Sequence, residues 1–141
     1  MKGLSFLLGK WESKETTKGP DGREVKFDLK GTNTLTLEGK CLQIDETFEV
    51  EGRMFANHIL LTHDRGLGKY RAWWFSASNP ARPLQFTGDR QDGKFILTSD
   101  DSRMRITYNL KKEGEYHAFV DLKRGETWET VTTADYRRIS P

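Results

Sequence analysis

An all-β architecture is what the 141-residue sequence predicts: one closed antiparallel up-and-down barrel of about ten strands, preceded by a short helical turn. Three observations lead there. Turn signals recur along the chain, most of them about 10–14 residues apart. The residues between them are rich in Thr, Phe, Tyr, Trp, Val and Ile and alternate between apolar and polar. Hairpins built on these turns set like opposite like along the paired strands.

Residues 3–8, Gly-Leu-Ser-Phe-Leu-Leu, are the one stretch that predicts a helical turn, and they lead into Gly9-Lys10-Trp11. Turn signals follow at residues 19–22 (Gly-Pro-Asp-Gly), 38–39 and 51–52 (both Glu-Gly), 65–68 (Arg-Gly-Leu-Gly), 92–93 (Asp-Gly), 100–101 (Asp-Asp), 113–114 (Glu-Gly) and 124–125 (Arg-Gly). Gly and Asp adopt the positive φ that tight hairpin turns demand at least steric cost. Residues 77–83 carry two of the four prolines and make the one longer loop. That loop is too short to separate domains, so residues 1–141 read as a single domain.

A two-residue turn fixes the register of its hairpin, which makes each strand pair testable. With Glu51-Gly52 at the turn, Val50 faces Arg53, Phe48 faces Phe55, Ile44 faces Ile59 and Leu42 faces Leu61, while Glu46 faces Asn57 between them. Glu38-Gly39 sets Leu35 opposite Leu42. A turn at Asp101-Ser102 sets Leu97 opposite Ile106 and Phe95 opposite Tyr108. Three-residue loops ending in Gly114 and Gly125 bring Tyr116, Ala118, Val120 and Leu122, and then Trp128, Thr130 and Thr132, onto the same face. If Asp64 pairs with Lys69, Trp74 points inward beside Ile59, and Trp73 and Phe75 point outward.

An open sheet of this size would leave two unpaired edges and one long uncovered apolar face, and closure into a barrel removes both. The inward face is not uniformly apolar. It carries Glu46, Asn57, His63, Tyr70, Tyr108, Tyr116, Thr130 and Thr132, and an inward Trp11 adds Ser13 and Glu15. Each polar group left unsatisfied in a dry core costs on the order of 1–3 kcal/mol, so this mixture predicts a partly polar pocket.

Composition excludes several function classes. The 23 Lys and Arg residues are nearly balanced by 21 Asp and Glu, which argues against a dedicated nucleic-acid surface. No apolar run approaches the ~20 residues of a membrane helix, and the short N-terminal apolar stretch lacks a small-residue cleavage site. The sequence therefore predicts a cytoplasmic protein with neither nucleic acid nor membrane as partner. Cys41 is the only cysteine and permits no intrachain disulfide. His58, His63 and His117 are scattered without ligand spacing, so no metal and no other cofactor is expected. Phosphate-binding loops and nucleophile elbows are absent.

Gly9-Lys10-Trp11, after its Leu-rich turn, resembles the opening of the calycin barrels, the lipocalins and fatty-acid-binding proteins among them. The resemblance implies that Trp11 closes the barrel base under an Arg from a late strand, for which Arg137 and Arg138 are the candidates. Residues 4–11, Thr62-His63-Asp64, residues 70–74, the Gly88 segment and the C-terminal Tyr-Arg are similar to an uncharacterised bacterial family of lipocalin-like small barrels. Nitrobindin and the fatty-acid-binding proteins are more distantly similar. The former extends the opening as Gly-x-Trp-x-Gly-x-Gly, where this chain has Glu12-Ser13-Lys14-Glu15. The latter use an Arg-x-Tyr in the last strand, where this chain reads Tyr136-Arg137-Arg138. Neither activity carries over.

The function expected from these features is binding of a small hydrophobic or amphipathic molecule inside the barrel. Phe48, Ile59, Trp74 and Leu97 would bury it, and Glu46, Asn57 and Tyr108 would orient it. His63, Tyr70, Tyr116 and Thr130 complete the candidate ligand-binding set. Two alternatives stay open: a small enzyme using Glu46 as general acid/base, and a filled barrel serving a structural or interaction role. Trp73 and Phe75 suggest an outer apolar patch suited to a homodimer. Circular dichroism of the protein is expected to show strand with almost no helix, and a helix content above about a quarter would overturn the barrel.

Overall fold

Two-residue turns set the register of the sheet. In the computed structural model, which describes residues 2–141, φ is 52° at Glu51 and 79° at Gly52, and 48° at Asp92 and 78° at Gly93. Positive φ at both central residues is what a type I′ turn requires, and its twist matches that of the strands it joins. The strands are β1 (Gly9–Lys18), β2 (Glu24–Thr36), β3 (Cys41–Val50), β4 (Arg53–Asp64), β5 (Lys69–Ser76), β6 (Leu84–Gln91), β7 (Lys94–Ser99), β8 (Met104–Lys112), β9 (Glu115–Arg124) and β10 (Thr127–Ser140). Each pairs antiparallel with its sequence neighbours, and β1 pairs with β10 to close the barrel. The expected pairs are present, including Glu46 with Asn57, Phe48 with Phe55, Phe95 with Tyr108, and Ile59 with Trp74. Among the described residues, no helix is long and apolar enough to cross a membrane.

The register shifts at three places: between Lys10 and Trp11 in β1, between Leu110 and Lys112 in β8, and in β10, where it reverses an expected inward face. In β10 the register against β9 shifts between Thr130 and Thr132. A bulge places one extra residue in a strand and reverses the parity of everything on one side of it. Thr132 therefore faces inward as expected, but Thr130 and Trp128 do not. Thr130 donates a 2.6 Å hydrogen bond to Asp121 on the outer face. Trp128 lies outside under the guanidinium of Arg105, at 4.5 Å from its ring centroid.

Where β6 and β7 cross, Gly88 pairs with Leu97 so closely that a Cβ would stand 1.9 Å from the carbonyl oxygen of Ile96. Only glycine admits that approach. On the outer face, Arg71 covers the ring of Trp73 at 5.7 Å, and Phe75 lies next to His58.

The N-terminal segment Lys2–Leu7 is a kinked 3₁₀ helix laid across one end of the barrel. Its last carbonyls have no partner within so short a helix, and the barrel supplies donors. Trp11 Nε1 donates to Leu7 O at 2.9 Å, Asn33 Nδ2 to the same oxygen at 2.6 Å, and Arg138 Nη2 to Phe6 O at 3.0 Å. Arg90 donates to Gly3 O. Arg138 also stacks on Trp11, 4.9 Å from the ring centroid. Arg138 is thus the residue that covers Trp11. Arg137, one step along the strand, points outward and pairs with Glu12. Trp11, Leu4 and Leu7 are fully buried in this plug. Replacing Trp11 by Ala removes a buried indole, a ring–guanidinium contact and a hydrogen bond, and is expected to cost roughly 3–5 kcal/mol in chemical denaturation. A loss below about 1 kcal/mol would mean that the plug does not depend on Trp11.

Candidate functional site

Burial along the inward face falls from the plug towards the other end. In β3, Leu42, Ile44 and Glu46 are buried, and Phe48 and Val50 are half-buried; in β4, Leu61 and Ile59 are buried and Phe55 is exposed. The end bearing the β1–β2, β3–β4, β5–β6, β7–β8 and β9–β10 turns is therefore the open one. Between that mouth and the plug lies a cavity of about 510 Å³, within the range of small-molecule sites. Its walls are apolar: Phe27, Phe48, Phe55, Ile59, Trp74, Ile106 and Val120. Two carboxyls, Glu15 and Glu46, lie at its deep end with Tyr108 and Tyr136, and Asn57 stands beside Glu46.

The bottom of the cavity is an aromatic layer. Tyr116 stacks on Tyr136 with ring centroids 4.4 Å apart, meets Trp11 edge-on at 4.7 Å, and has Tyr108 at 5.9 Å. Phe95 and Tyr70 extend the layer sideways. Leu97 is fully buried but does not line the cavity.

The carboxyls share one donor. The Tyr136 hydroxyl donates to Glu46 Oε2 at 2.9 Å and lies 3.4 Å from Glu15 Oε2. A phenol carries one proton and can satisfy one carboxylate fully. The second contact becomes a good hydrogen bond when a carboxyl is protonated and donates to the phenol oxygen. The titration follows the same logic. Burial, reinforced by the charge of Glu46, pushes Glu15 up to about 7. Burial also raises Glu46, against the opposing pull of Tyr136 and Asn57. Tyr108, Tyr116 and Tyr136 are raised by burial and then by neighbouring negative or potentially negative groups, so they remain neutral donors near pH 7.

The sequence-predicted residues divide. Glu46, Asn57, Trp74 and Tyr108 line the cavity. Tyr116 faces inward, but it lies below the cavity in the aromatic layer, because parity tells the face and not the depth. Tyr70 and His63 lie at the plugged end: their rings meet edge-on at 4.9 Å, and the Tyr70 hydroxyl abuts Gly3. Thr130 is outside, displaced by the bulge. Tyr136 lines the cavity and was not among the expected residues. The signal for it was the parity of Thr132 carried four residues further.

No family model matches the chain, and no curated protein matches it. Among solved structures, Rv2717c from M. tuberculosis superposes with a TM-score of 0.75 at 14% identity, over 97% of this chain and 95% of that one. The S-type phycobiliprotein lyase CPES from Guillardia theta superposes with a TM-score of 0.71 at 10% identity, over 99% of this chain and 92% of that one. At such identities the likeness is one of fold. The shared architecture is a closed antiparallel barrel, ten-stranded here.

The raised carboxyls make stability depend on pH with a defined sign. Glu15 loses its proton near 4.5 when unfolded and near 7 when folded. Its contribution to stability is therefore fully present below pH 4.5 and is lost as pH rises to about 7. Glu15→Gln is expected to shrink the stability difference between pH 5 and pH 8 by about 2 kcal/mol in urea denaturation. An unchanged difference would show that Glu15 is not the buried titrating group.

Proposed function

We propose that this protein binds a small hydrophobic or amphipathic molecule non-covalently inside the barrel. The observation that carries the reading is the open apolar cavity of about 510 Å³ with hydrogen-bonding groups confined to its deep end. Apolar walls supply affinity without direction, and a few fixed polar groups supply orientation. Phe48, Ile59 and Trp74 bury the body of the ligand, while Glu46, Asn57 and Tyr108, joined by Glu15 and Tyr136, orient its polar end. The Trp74 indole nitrogen is buried and has no acceptor among the described residues, so an acceptor on the ligand would meet an otherwise unused donor. The ten-stranded form that the chain shares with a phycobiliprotein lyase is in keeping with this reading. The Gly9-Lys10-Trp11 opening and the Trp11–Arg138 contact support membership of the lipocalin-like bacterial small-barrel family.

Two buried carboxyls facing the cavity, both raised by burial, favour a second reading, in which Glu46 acts as general acid/base on a bound substrate. Turnover lost in Glu46→Gln, with binding retained, would favour that reading over a carrier.

The binding function is tested with N-phenylnaphthylamine, whose fluorescence rises in apolar surroundings. Saturable binding is expected for the wild type. Ala118→Trp fills the cavity from β9 and is expected to weaken binding at least tenfold. Absence of saturable binding in the wild type, together with no small molecule retained in native mass spectrometry of protein from its own cells, would overturn the reading.

A further inference from the structure

The deep end of the cavity holds acid without a counter-ion. Glu15 and Glu46 are each 9% exposed, and no Lys, Arg or His among the described residues lines the cavity except Lys18 at its rim. Arg138 lies in the plug, stacked on the Trp11 ring and donating to the Phe6 carbonyl, and does not line the cavity. Glu15 has only weak donors: the Ser13 hydroxyl pulls against its burial without offsetting it, and Tyr136 approaches at 3.4 Å with its proton already engaged by Glu46 at 2.9 Å. A buried carboxyl aimed into a cavity with only weak neutral donors and no counter-ion calls for either a proton or a positive charge from outside.

The wall above it is aromatic. Phe27 stacks on Phe48 at 5.0 Å and Phe48 on Phe55 at 5.4 Å, a ladder that runs across β2, β3 and β4 beside the mouth. Flat rings set one after another suit a flat apolar body, and their faces are themselves attractive to positive charge. An anionic headgroup has the opposite fit: it would meet two carboxyls and no cation.

We propose that the ligand is an organic cation, a flat apolar body ending in a protonated amine or amidine, whose nitrogen docks between Glu15 and Glu46 beside the Tyr136 hydroxyl. The inference rests on the cavity-binding reading above and narrows its ligand class. An ammonium group offers three donors, enough for both carboxylates and the phenol oxygen together. Its charge takes the place of a carboxyl proton, so binding and proton release are coupled. The titratable groups facing the docking point are Glu15 from β1, Glu46 from β3, Tyr108 from β8, Tyr116 from β9 and Tyr136 from β10. β2 and β4 present Asn33 and Asn57, which do not titrate, and the three phenols stay neutral near pH 7. The released proton therefore comes from the carboxyl pair.

Calorimetric titration with three probes of one shape tests this: naphthylmethylammonium, the neutral naphthylmethanol and the anionic naphthoate. The ammonium is expected to bind at least about tenfold more tightly than the alcohol, with naphthoate weakest. In Glu15→Gln and in Glu46→Gln, the preference of the ammonium over the alcohol is expected to fall towards parity. The wild type alone gives a second measure. Titrations at pH 7 in two buffers of different ionisation enthalpy should show proton release with the ammonium and none with the alcohol, a result that stands even if a variant fails to fold. Alcohol binding as tight as ammonium binding, or ammonium binding without proton release, overturns the cation inference and leaves the cavity reading in place. Failure of all three probes to bind overturns both.

Discussion

A barrel with one apolar lining has two ends through which water can reach it, and the depth to which water is excluded decides what its interior can do. Here one end is shut by a single cluster. The Trp11 indole lies between the Leu7 carbonyl, to which it donates, and the Arg138 guanidinium, which stacks on its ring. Asn33 donates to that same carbonyl, and Arg138 and Arg90 donate to those of Phe6 and Gly3. Without those side-chain donors, the short helix would bury unsatisfied backbone against an apolar floor. With them it forms a lid; Tyr116 meets its inner side edge-on, and Tyr136 stacks on Tyr116. The low dielectric at the base of the cavity follows from that closure.

The two carboxyls gain their chemistry from the same closure. In β1 and β3, Glu15 and Glu46 occupy ordinary inward positions, each one residue pair away from an apolar neighbour. Water would hold them charged and apart. Sealed above the aromatic layer, they lose hydration and compete for one phenol proton, and burial displaces both from the usual carboxylate range. A residue at the plug thereby influences a group that it does not touch. The apolar walls and open mouth above the carboxyls complete an arrangement in which polar recognition is confined to one end of a greasy cavity.

The likeness to Rv2717c and to the lyase CPES at 14% and 10% identity shows how little of this barrel depends on particular residues. Alternation, turn spacing and closure are satisfied by many sequences, because a barrel asks of most positions only that they be apolar inside and polar outside. Close approaches are stricter. Gly88, against the Ile96 carbonyl, cannot carry any side chain without moving β6 from β7. What fills the cavity is free to differ between barrels, so function lies in the lining rather than in the fold.

By itself the sequence determined the elements, their register and the inward face of most strands. These are local properties: a two-residue turn fixes pairing, and pairing fixes parity, so Glu46 opposite Asn57 and Trp74 beside Ile59 were legible from the Glu51-Gly52 turn and the Asp64–Lys69 pair. Only the tertiary structure decided depth along the barrel axis and the sense of the last strand. Parity cannot separate Tyr108, which lines the cavity, from Tyr116 one layer below it, or from Tyr70 and His63 at the plug. Nothing local marks the bulge at Val131, which turns Trp128 and Thr130 outward. The choice of Arg138 over Arg137 and the meeting of Glu15 with Glu46 across β1, β3 and β10 have the same origin. Both arise only when the first and last strands close the sheet and side chains distant in sequence are forced into one dry volume.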